Sequence, residues 1–235
     1  MNIYQDSVLC MGALRVEKRL AGQGDQPDPL AATLAEIYPE RITDAAAVAY
    51  MLTRLPRTDA PILWVQDRLS RRESGRPYLA GIGTRRPIIM VDLSRAADVL
   101  WALEDGLRCR ALGAVVGEVW GDPSALDFTA TKRLAMRSEA ADVPCWLIRR
   151  AATANLSAAR DRWRIASASS APHPYDAQAP GKPRWALDLF RSRRSKPGKW
   201  VVEYDRTADR LYRVAAIRDG TLAAGDGTPR QRAAG

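Results

Sequence analysis

The sequence has few of the side chains from which many enzymes build an active site. Its single histidine, His173, lies between two prolines, and a Ser-His-Asp triad would depend on that residue alone. The three cysteines, Cys10, Cys109 and Cys145, are odd in number and too widely spaced for a zinc or disulfide pattern. We therefore predict no catalytic triad, no metal site, and a reducing, cytoplasmic location.

Long hydrophobic runs are missing as well. No segment approaches the roughly 18 apolar residues of a membrane-spanning helix, and residues 1–20 lack the basic start of a signal peptide. We therefore expect no contact with a membrane. A chain of 235 residues is long enough to bury the core of one large α/β domain.

Apolar segments alternate with helix-forming segments in the first two thirds of the chain. The predicted buried strands span residues 34–38, 61–66, 87–91, 113–120 and 144–148. The predicted helices run from about residue 43 to 54, 94 to 112 and 129 to 141, with a polar connection at 67–86. Apolar strands that alternate with helices predict an α/β fold, with a mostly parallel sheet and helices on both faces.

After residue 150 the pattern changes to short alternating runs without helices between them. This pattern predicts an antiparallel β extension over residues 151–219. We thus expect an α/β domain at 30–219, with its core at 30–150. Residues 1–29 are predicted to form a short helix and a turn-rich linker, and residues 220–235 a disordered tail.

The loop after the first predicted strand lacks the residues with which α/β NTPases bind phosphate. Those enzymes use glycines, whose backbone N–H groups approach the phosphate, and a lysine. The corresponding positions here hold Pro39, Glu40, Arg41, Thr43 and Asp44. Because Pro39 has no N–H group to donate and Glu40 repels phosphate, we predict a degenerate phosphate loop, no nucleotide cofactor and no enzyme activity.

Glu118 lies near the end of an apolar predicted strand. P-loop enzymes use an acidic residue at such a strand end to hold the metal ion or its water. Without a phosphate loop no nucleotide would be bound near this carboxylate. We therefore interpret Glu118 either as a remnant of an ancestral nucleotide site or as a structural group. An NTPase with an atypical phosphate loop is the alternative.

Positive charge is concentrated in the last third of the chain. Residues 149–235 contain 18 Lys and Arg against 8 Asp and Glu, a net charge of +10, whereas residues 1–148 have a net charge of −1. Five cations fall within a predicted hairpin at 191–199, namely Arg191, Arg193, Arg194, Lys196 and Lys199. Together with Arg162 and Arg164, this hairpin predicts a surface that binds DNA or an acidic protein. A solvated hairpin tip is the alternative.

Seven segments between residues 30 and 206 have an order and spacing that are specific as a set. They are residues 62–65, 99–108, 114–118, 131–134, 162–165, 189–193 and 198–205. In these segments the chain resembles the ImuA family, which comprises RecA-like proteins of bacterial damage-induced mutagenesis. The resemblance implies a RecA-like fold of the P-loop NTPase type.

The resemblance also implies partners. These are ImuB, an inactive relative of Y-family polymerases, an error-prone DNA polymerase III alpha-type subunit, and RecA. We therefore expect a non-catalytic accessory factor of the SOS response, which bridges these proteins during translesion DNA synthesis. Single-stranded DNA is a further candidate partner, through the basic hairpin. Members of the family are often labelled SulA-like, so a cell-division inhibitor that acts on FtsZ by protein binding is the alternative.

Overall fold

A nine-stranded sheet organises residues 32–78, 86–176 and 178–216, the parts of the chain that the computed structural model describes. The strands are β1 (Leu34–Pro39), β2 (Ile62–Asp67), β3 (Ile88–Leu93), β4 (Ala114–Trp120), β5 (Cys145–Arg150), β6 (Asp161–Ala168), β7 (Arg184–Ser192), β8 (Gly198–Asp205) and β9 (Arg210–Ala216). The helices are α1 (Ala46–Arg54), α2 (Arg68–Ser74), α3 (Ala96–Gly106) and α4 (Phe128–Ala141). The helix, linker and tail predicted at 1–29 and 220–235 lie outside the described residues.

The sheet is parallel through six strands and antiparallel through the last three. Its order is β3-β2-β4-β5-β1-β6-β7-β8-β9. Strands β1 to β6 run parallel to one another, whereas β7, β8 and β9 alternate in direction. The predicted α/β class and the mostly parallel sheet are therefore confirmed.

One part of the predicted extension is wrong, because it does not begin with an antiparallel strand. β6 pairs in parallel with β1, since residues 151–160 carry the chain back along the sheet before β6 starts. At the end of this connection, the backbone N–H of Arg160 donates to the carbonyl oxygen of Leu34 at 2.9 Å. Parallel strands require such a return, whereas antiparallel strands can follow a tight turn.

The helices bury apolar side chains on both faces of the sheet, as predicted. α1 packs on one face, where its Tyr50 and Met51 share an apolar cluster with Trp163 of β6. α3 and α4 pack on the opposite face, where Leu103 and Leu134 belong to a second cluster. Because successive residues of a strand point to opposite faces, the apolar strands of the parallel half contribute to both clusters.

The structure contains a short helix, α2, within the segment that was predicted to be a connection. Asp67, the last residue of β2, caps this helix through its Oδ1 atom, which accepts a hydrogen bond from Ser70 N at 2.6 Å. Oδ2 of the same carboxylate accepts from Trp120 N at 2.7 Å, which joins the ends of β2 and β4. The helix is short and polar, and its start depends on the cap rather than on apolar periodicity.

Three further predictions need correction. β3 is not buried on both faces, because it is an edge strand, and its Ile89 is 48% exposed. α3 ends at Gly106 rather than near residue 112, because the chain turns there to enter β4. α4 starts at Phe128 rather than residue 129, because it is capped by Asp127, whose Oδ1 accepts from Ala130 N at 2.7 Å. No helix among the described residues is long and apolar enough to span a bilayer.

Two methionines on helices allow the packing to be tested. Met51 is fully buried under the sheet, whereas Met136 on α4 is 57% exposed. We expect Met51→Ala to lower the free energy of unfolding by about 2–5 kcal/mol, because it leaves a cavity in the core. Met136→Ala should change it by no more than about 0.5 kcal/mol. Urea denaturation of both variants checks this. Equal losses of unfolding free energy in the two variants would contradict the packing of α1 on the sheet.

Candidate functional site

The loop between β1 and α1 lies at the carboxyl edge of the parallel strands, where α/β proteins bind ligands. Glu40, Arg41 and Thr43 are exposed in this loop. Its backbone is engaged within the chain: Glu40 N donates to Ile165 O at 2.9 Å, and Asp44 N donates to Arg41 O at 2.9 Å. These two N–H groups are therefore occupied in the loop that was predicted to be a degenerate phosphate loop.

Asp44 places a negative charge at the start of α1. Its Oδ1 accepts from the first helical N–H, that of Ala46, at 2.8 Å, and from Ser167 Oγ at 2.7 Å. Its Oδ2 accepts from Ser167 N at 2.7 Å. A helix N-terminus attracts anions, and here a carboxylate of the chain itself occupies that position and ties the loop to the end of β6.

Glu118 is held by two side chains of neighbouring strands. The carboxylate is 1% exposed; its Oε1 accepts from Trp64 Nε1 at 2.8 Å and its Oε2 from Arg150 Nε at 3.0 Å. Arg150 also donates from Nη1 to Ile42 O at 2.6 Å. The guanidinium thus connects the acidic residue on β4 to the loop after β1.

A cavity of about 900 Å³ adjoins this loop. Its lining includes Thr43, Ala46, Glu118, Arg150 and Tyr204. Of the charged groups that line the cavity, Glu118 and Arg150 are paired with each other. Among the described residues, no group of three or more His, Cys, Asp and Glu side chains could hold a metal ion.

Sequence reasoning missed a buried polar network beneath the junction of β1 and β6. Glu36 is fully buried, and its carboxylate accepts from Tyr38 OH, Ser157 Oγ and Arg162 Nε, each at 2.7 Å. Arg162 Nη2 also donates to Tyr38 OH at 2.6 Å. Burial, with the charge of Glu36 adding to it, raises the pKa of Tyr38 to about 12. The phenol therefore stays neutral, and the buried charge pair is hydrogen-bonded.

A second pair fixes the ends of β4 and β5. Arg149 Nη2 donates to Asp122 Oδ1 at 2.7 Å. Asp122 Oδ2 accepts from the backbone and hydroxyl of Thr153 at 2.9 and 2.6 Å. Burial opposes ionisation of Asp122, but the Thr153 hydrogen bonds and the charge of Arg149 outweigh it and hold the pKa below its usual value. Asp122 is therefore a stable anion beside Arg149.

Arginine and aromatic side chains alternate from the interior to the surface. Arg149 lies 5.7 Å from the ring centroid of Tyr38, and Arg162 lies 5.4 Å from the same centroid. On its other side, Arg162 is 5.2 Å from the centroid of Phe190, and Arg164 is 4.3 Å from it. We call these five residues the cation–aromatic stack. Its members come from β5, β1, β6 and β7, so the stack crosses four adjacent strands.

The residues of the predicted basic surface divide into two groups. Arg162 is buried, and Arg191 donates from Nη1 to Ser157 O at 3.1 Å, so both hold the fold together. The exposed members are Arg164, Arg193, Arg194, Lys196 and Lys199. Trp200 is 3% exposed and points into the core, as its spacing with Val202 and Tyr204 suggests.

Comparison with known proteins identifies relatives. No protein-family model matches the sequence. The chain is similar to two curated proteins, each named Protein ImuA, from the NA1000 / CB15N and the ATCC 19089 / CIP 103742 / CB 15 strains of Caulobacter vibrioides. Each is 32% identical over 174 residues, which cover 67% of this chain and 68% of the relative.

Two arginines on the same strand test the buried network. Arg162→Ala removes the hydrogen-bonded cation of a buried carboxylate, whose other cationic neighbour, Arg149, lies at 3.9 Å, and we expect it to lower the free energy of unfolding by about 3–5 kcal/mol. Arg164→Ala removes an exposed guanidinium and should cost at most about 1 kcal/mol. Chemical denaturation of both variants makes the comparison. A small effect of Arg162→Ala would show that the pair with Glu36 does not support the fold.

Proposed function

This chain belongs to the ImuA family, and we propose from that premise that it is a non-catalytic, RecA-like accessory factor in damage-induced mutagenesis. It works in the cytoplasm during translesion DNA synthesis. It bridges ImuB, an error-prone DNA polymerase III alpha-type subunit and RecA. Membership of the family supports the biological setting, and the geometry at the carboxyl edge of the sheet supports the absence of catalysis.

The observation that carries the non-catalytic role is the contact of Glu118 with Trp64 and Arg150. Phosphoryl transfer in P-loop proteins needs an acidic residue that is free to hold Mg²⁺ or its water. Here both carboxylate oxygens accept hydrogen bonds from the chain itself. The carboxylate of Asp44 at the N-terminus of α1 adds repulsion toward a phosphate.

Exposed apolar side chains support a role in protein binding. Trp101 on α3 is 70% exposed, and Met136 on the neighbouring α4 is 57% exposed. Tryptophan is enriched among the residues that dominate binding energy at protein interfaces. The face formed by α3 and α4 is therefore a suitable surface for one of the protein partners.

We expect the protein neither to bind nor to hydrolyse ATP. The melting temperature with Mg-ATP should equal that with magnesium chloride alone, because only a ligand that binds the folded state raises it. Differential scanning fluorimetry and a phosphate-release assay check this. Turnover above background that is abolished by Glu118→Gln would contradict it and favour the NTPase alternative.

The accessory role is tested in cells. Deleting the gene should reduce ultraviolet-induced mutation without slowing growth in undamaged cells. A copy of the gene carrying Thr43→Ala should restore mutagenesis fully. P-loop enzymes need a Ser or Thr hydroxyl of the phosphate loop to hold Mg²⁺, whereas the proposed non-catalytic role does not need the hydroxyl of Thr43. An unchanged mutation frequency in the deletion strain would refute the accessory role, and failure of Thr43→Ala alone would refute its non-catalytic nature.

A further inference from the structure

We propose that one end of the β6–β8 sheet binds single-stranded DNA without regard to sequence. The inference deepens the proposed function, on which it rests for the choice of DNA. The surface combines exposed cations with one half-buried aromatic ring. We call it the basic sheet end, and it consists of Arg164, Phe190, Arg193, Arg194, Lys196 and Lys199.

The basic sheet end lies on the face of the sheet opposite to α1. Trp163 and Trp200 point into the cluster beneath α1, so their strand neighbours Arg164 and Lys199 point to the other face. Phe190 lies at an irregularity in the β6–β7 register, and its contacts with Arg162 and Arg164 place it on the same face as Arg164. On that face the side chains of Arg164 and Lys199 are exposed, and that of Phe190 is half-buried. The turn between β7 and β8 places three more cations at the end of the same strands.

The surface carries more positive charge than its neighbours neutralise. Arg194 and Lys196 form no side-chain ion pair or hydrogen bond with any described residue. Arg164 has a long contact of 3.4 Å with Asp188, which also lies opposite Lys199 in the β7–β8 register. Other carboxylates near the turn have their own donors. Asp161 accepts from Ser192. Glu139 accepts from Thr33 and Arg160, and the Arg160 hydrogen bond and, less strongly, the charge of Arg193 lower its pKa, so Glu139 offsets part of the charge of Arg193.

Such an excess of exposed cations binds phosphates and releases their counterions, which makes binding depend strongly on salt. All five cations of the basic sheet end are exposed, and the side chains of Arg194 and Lys196 have no ion pair or hydrogen bond among the described residues. Phosphate contacts carry no sequence information, so affinity should be similar for different sequences.

The cation–aromatic stack explains why a single strand is favoured over a duplex. Arg164 lies 4.3 Å from the centroid of the Phe190 ring, while its own side chain remains 53% exposed. Behind Phe190, the buried Arg162 and Tyr38 hold the ring in place. An arginine plane fixed in this way can stack on an unpaired base, whereas the bases of a duplex already stack on one another.

An acidic protein would also meet the exposed cations, and its carboxylates would pair with the N–H edge of the Arg164 guanidinium. A base would instead stack on the face of that guanidinium, which is already held over an aromatic ring, and this stacking of Arg164 on Phe190 favours nucleic acid. This difference separates the two partners experimentally, because charge and planarity can be changed independently.

The first test removes charge from the turn. The full chain carrying Arg193→Gln, Arg194→Gln and Lys196→Gln is compared with wild type by fluorescence anisotropy on labelled oligo-dT and on a mixed-sequence strand. The slope of log affinity against log salt should become shallower by about 0.7 for each phosphate that is no longer neutralised, or about 2 for all three. Circular dichroism confirms that the variant is folded.

A matched control removes the same charge elsewhere. Arg72, Arg108 and Arg110 are exposed and lie on or after helices of the parallel half. Changing all three to glutamine lowers the net charge equally and should leave the slope unchanged. Equal effects of the two triple variants would overturn the inference, because net charge alone would then account for binding.

The second test keeps the positive charge at position 164 and removes the planar guanidinium group. Arg164→Lys should weaken binding to oligo-dT by about fivefold or more, since one stacked base contributes at least about 1 kcal/mol. The salt slope and the affinity for inorganic polyphosphate should not change. The stacking role would be contradicted if Arg164→Lys weakened binding to oligo-dT and to polyphosphate equally. It would also be contradicted if the wild type bound a mixed-sequence duplex more tightly than the corresponding single strand.

Each remaining outcome is also decisive. If the folded turn variant binds oligo-dT with an unchanged salt slope, the inference is overturned and the surface belongs to an acidic protein partner. These assays contain the purified chain with nucleic acid or polyphosphate, and none of the proposed protein partners. Their failure therefore leaves the accessory role in mutagenesis intact, and failure of the cellular test leaves DNA binding measurable.

Discussion

The buried ion pair between Glu36 and Arg162 is the contact on which the arrangement of the other functional groups depends. It joins the first strand of the parallel half to β6, from which the antiparallel strands extend. A buried charge is costly unless it is paired and hydrogen-bonded. Here Tyr38 and Ser157 complete the hydrogen bonds of the pair. Because Arg162 also stacks between Tyr38 and Phe190, this pair positions the cation–aromatic stack that ends at Arg164.

The two ends of β1 and β6 thus use charge in opposite ways. At the carboxyl edge, the carboxylates of Asp44 and Glu118 and the guanidinium of Arg150 bind groups of the chain itself. At the β7–β8 turn, cations project outward. The first arrangement makes the carboxyl edge rigid, and the second leaves positive charge exposed for the polyanion that we propose.

Local sequence patterns predicted the strands well, because buried parallel strands are continuous apolar runs; the strand predicted at 34–38 is observed at Leu34–Pro39. α2 was missed because this short, mostly polar helix depends on the cap by Asp67.

The partners of Glu118 were not predictable from the sequence. Trp64 and Arg150 belong to β2 and β5, which are far from β4 in the sequence but lie on either side of it in the sheet. Arg162 was predicted to lie on the surface because charge usually indicates exposure, and its burial depends on Glu36, a residue 126 positions away. Charge density alone did identify the turn at 193–197, where the cations are exposed.

A double-mutant cycle on Glu36 and Arg162 tests the central claim most directly. Glu36→Leu, Arg162→Leu and the double variant are compared with the wild type by urea denaturation. If the pair joins the two halves of the sheet, each single change leaves a buried charge without the partner to which it is hydrogen-bonded, and the double change removes both charges. The account predicts a coupling energy of about 2–3 kcal/mol. A coupling energy near zero would contradict it, because Glu36 and Arg162 would then contribute independently.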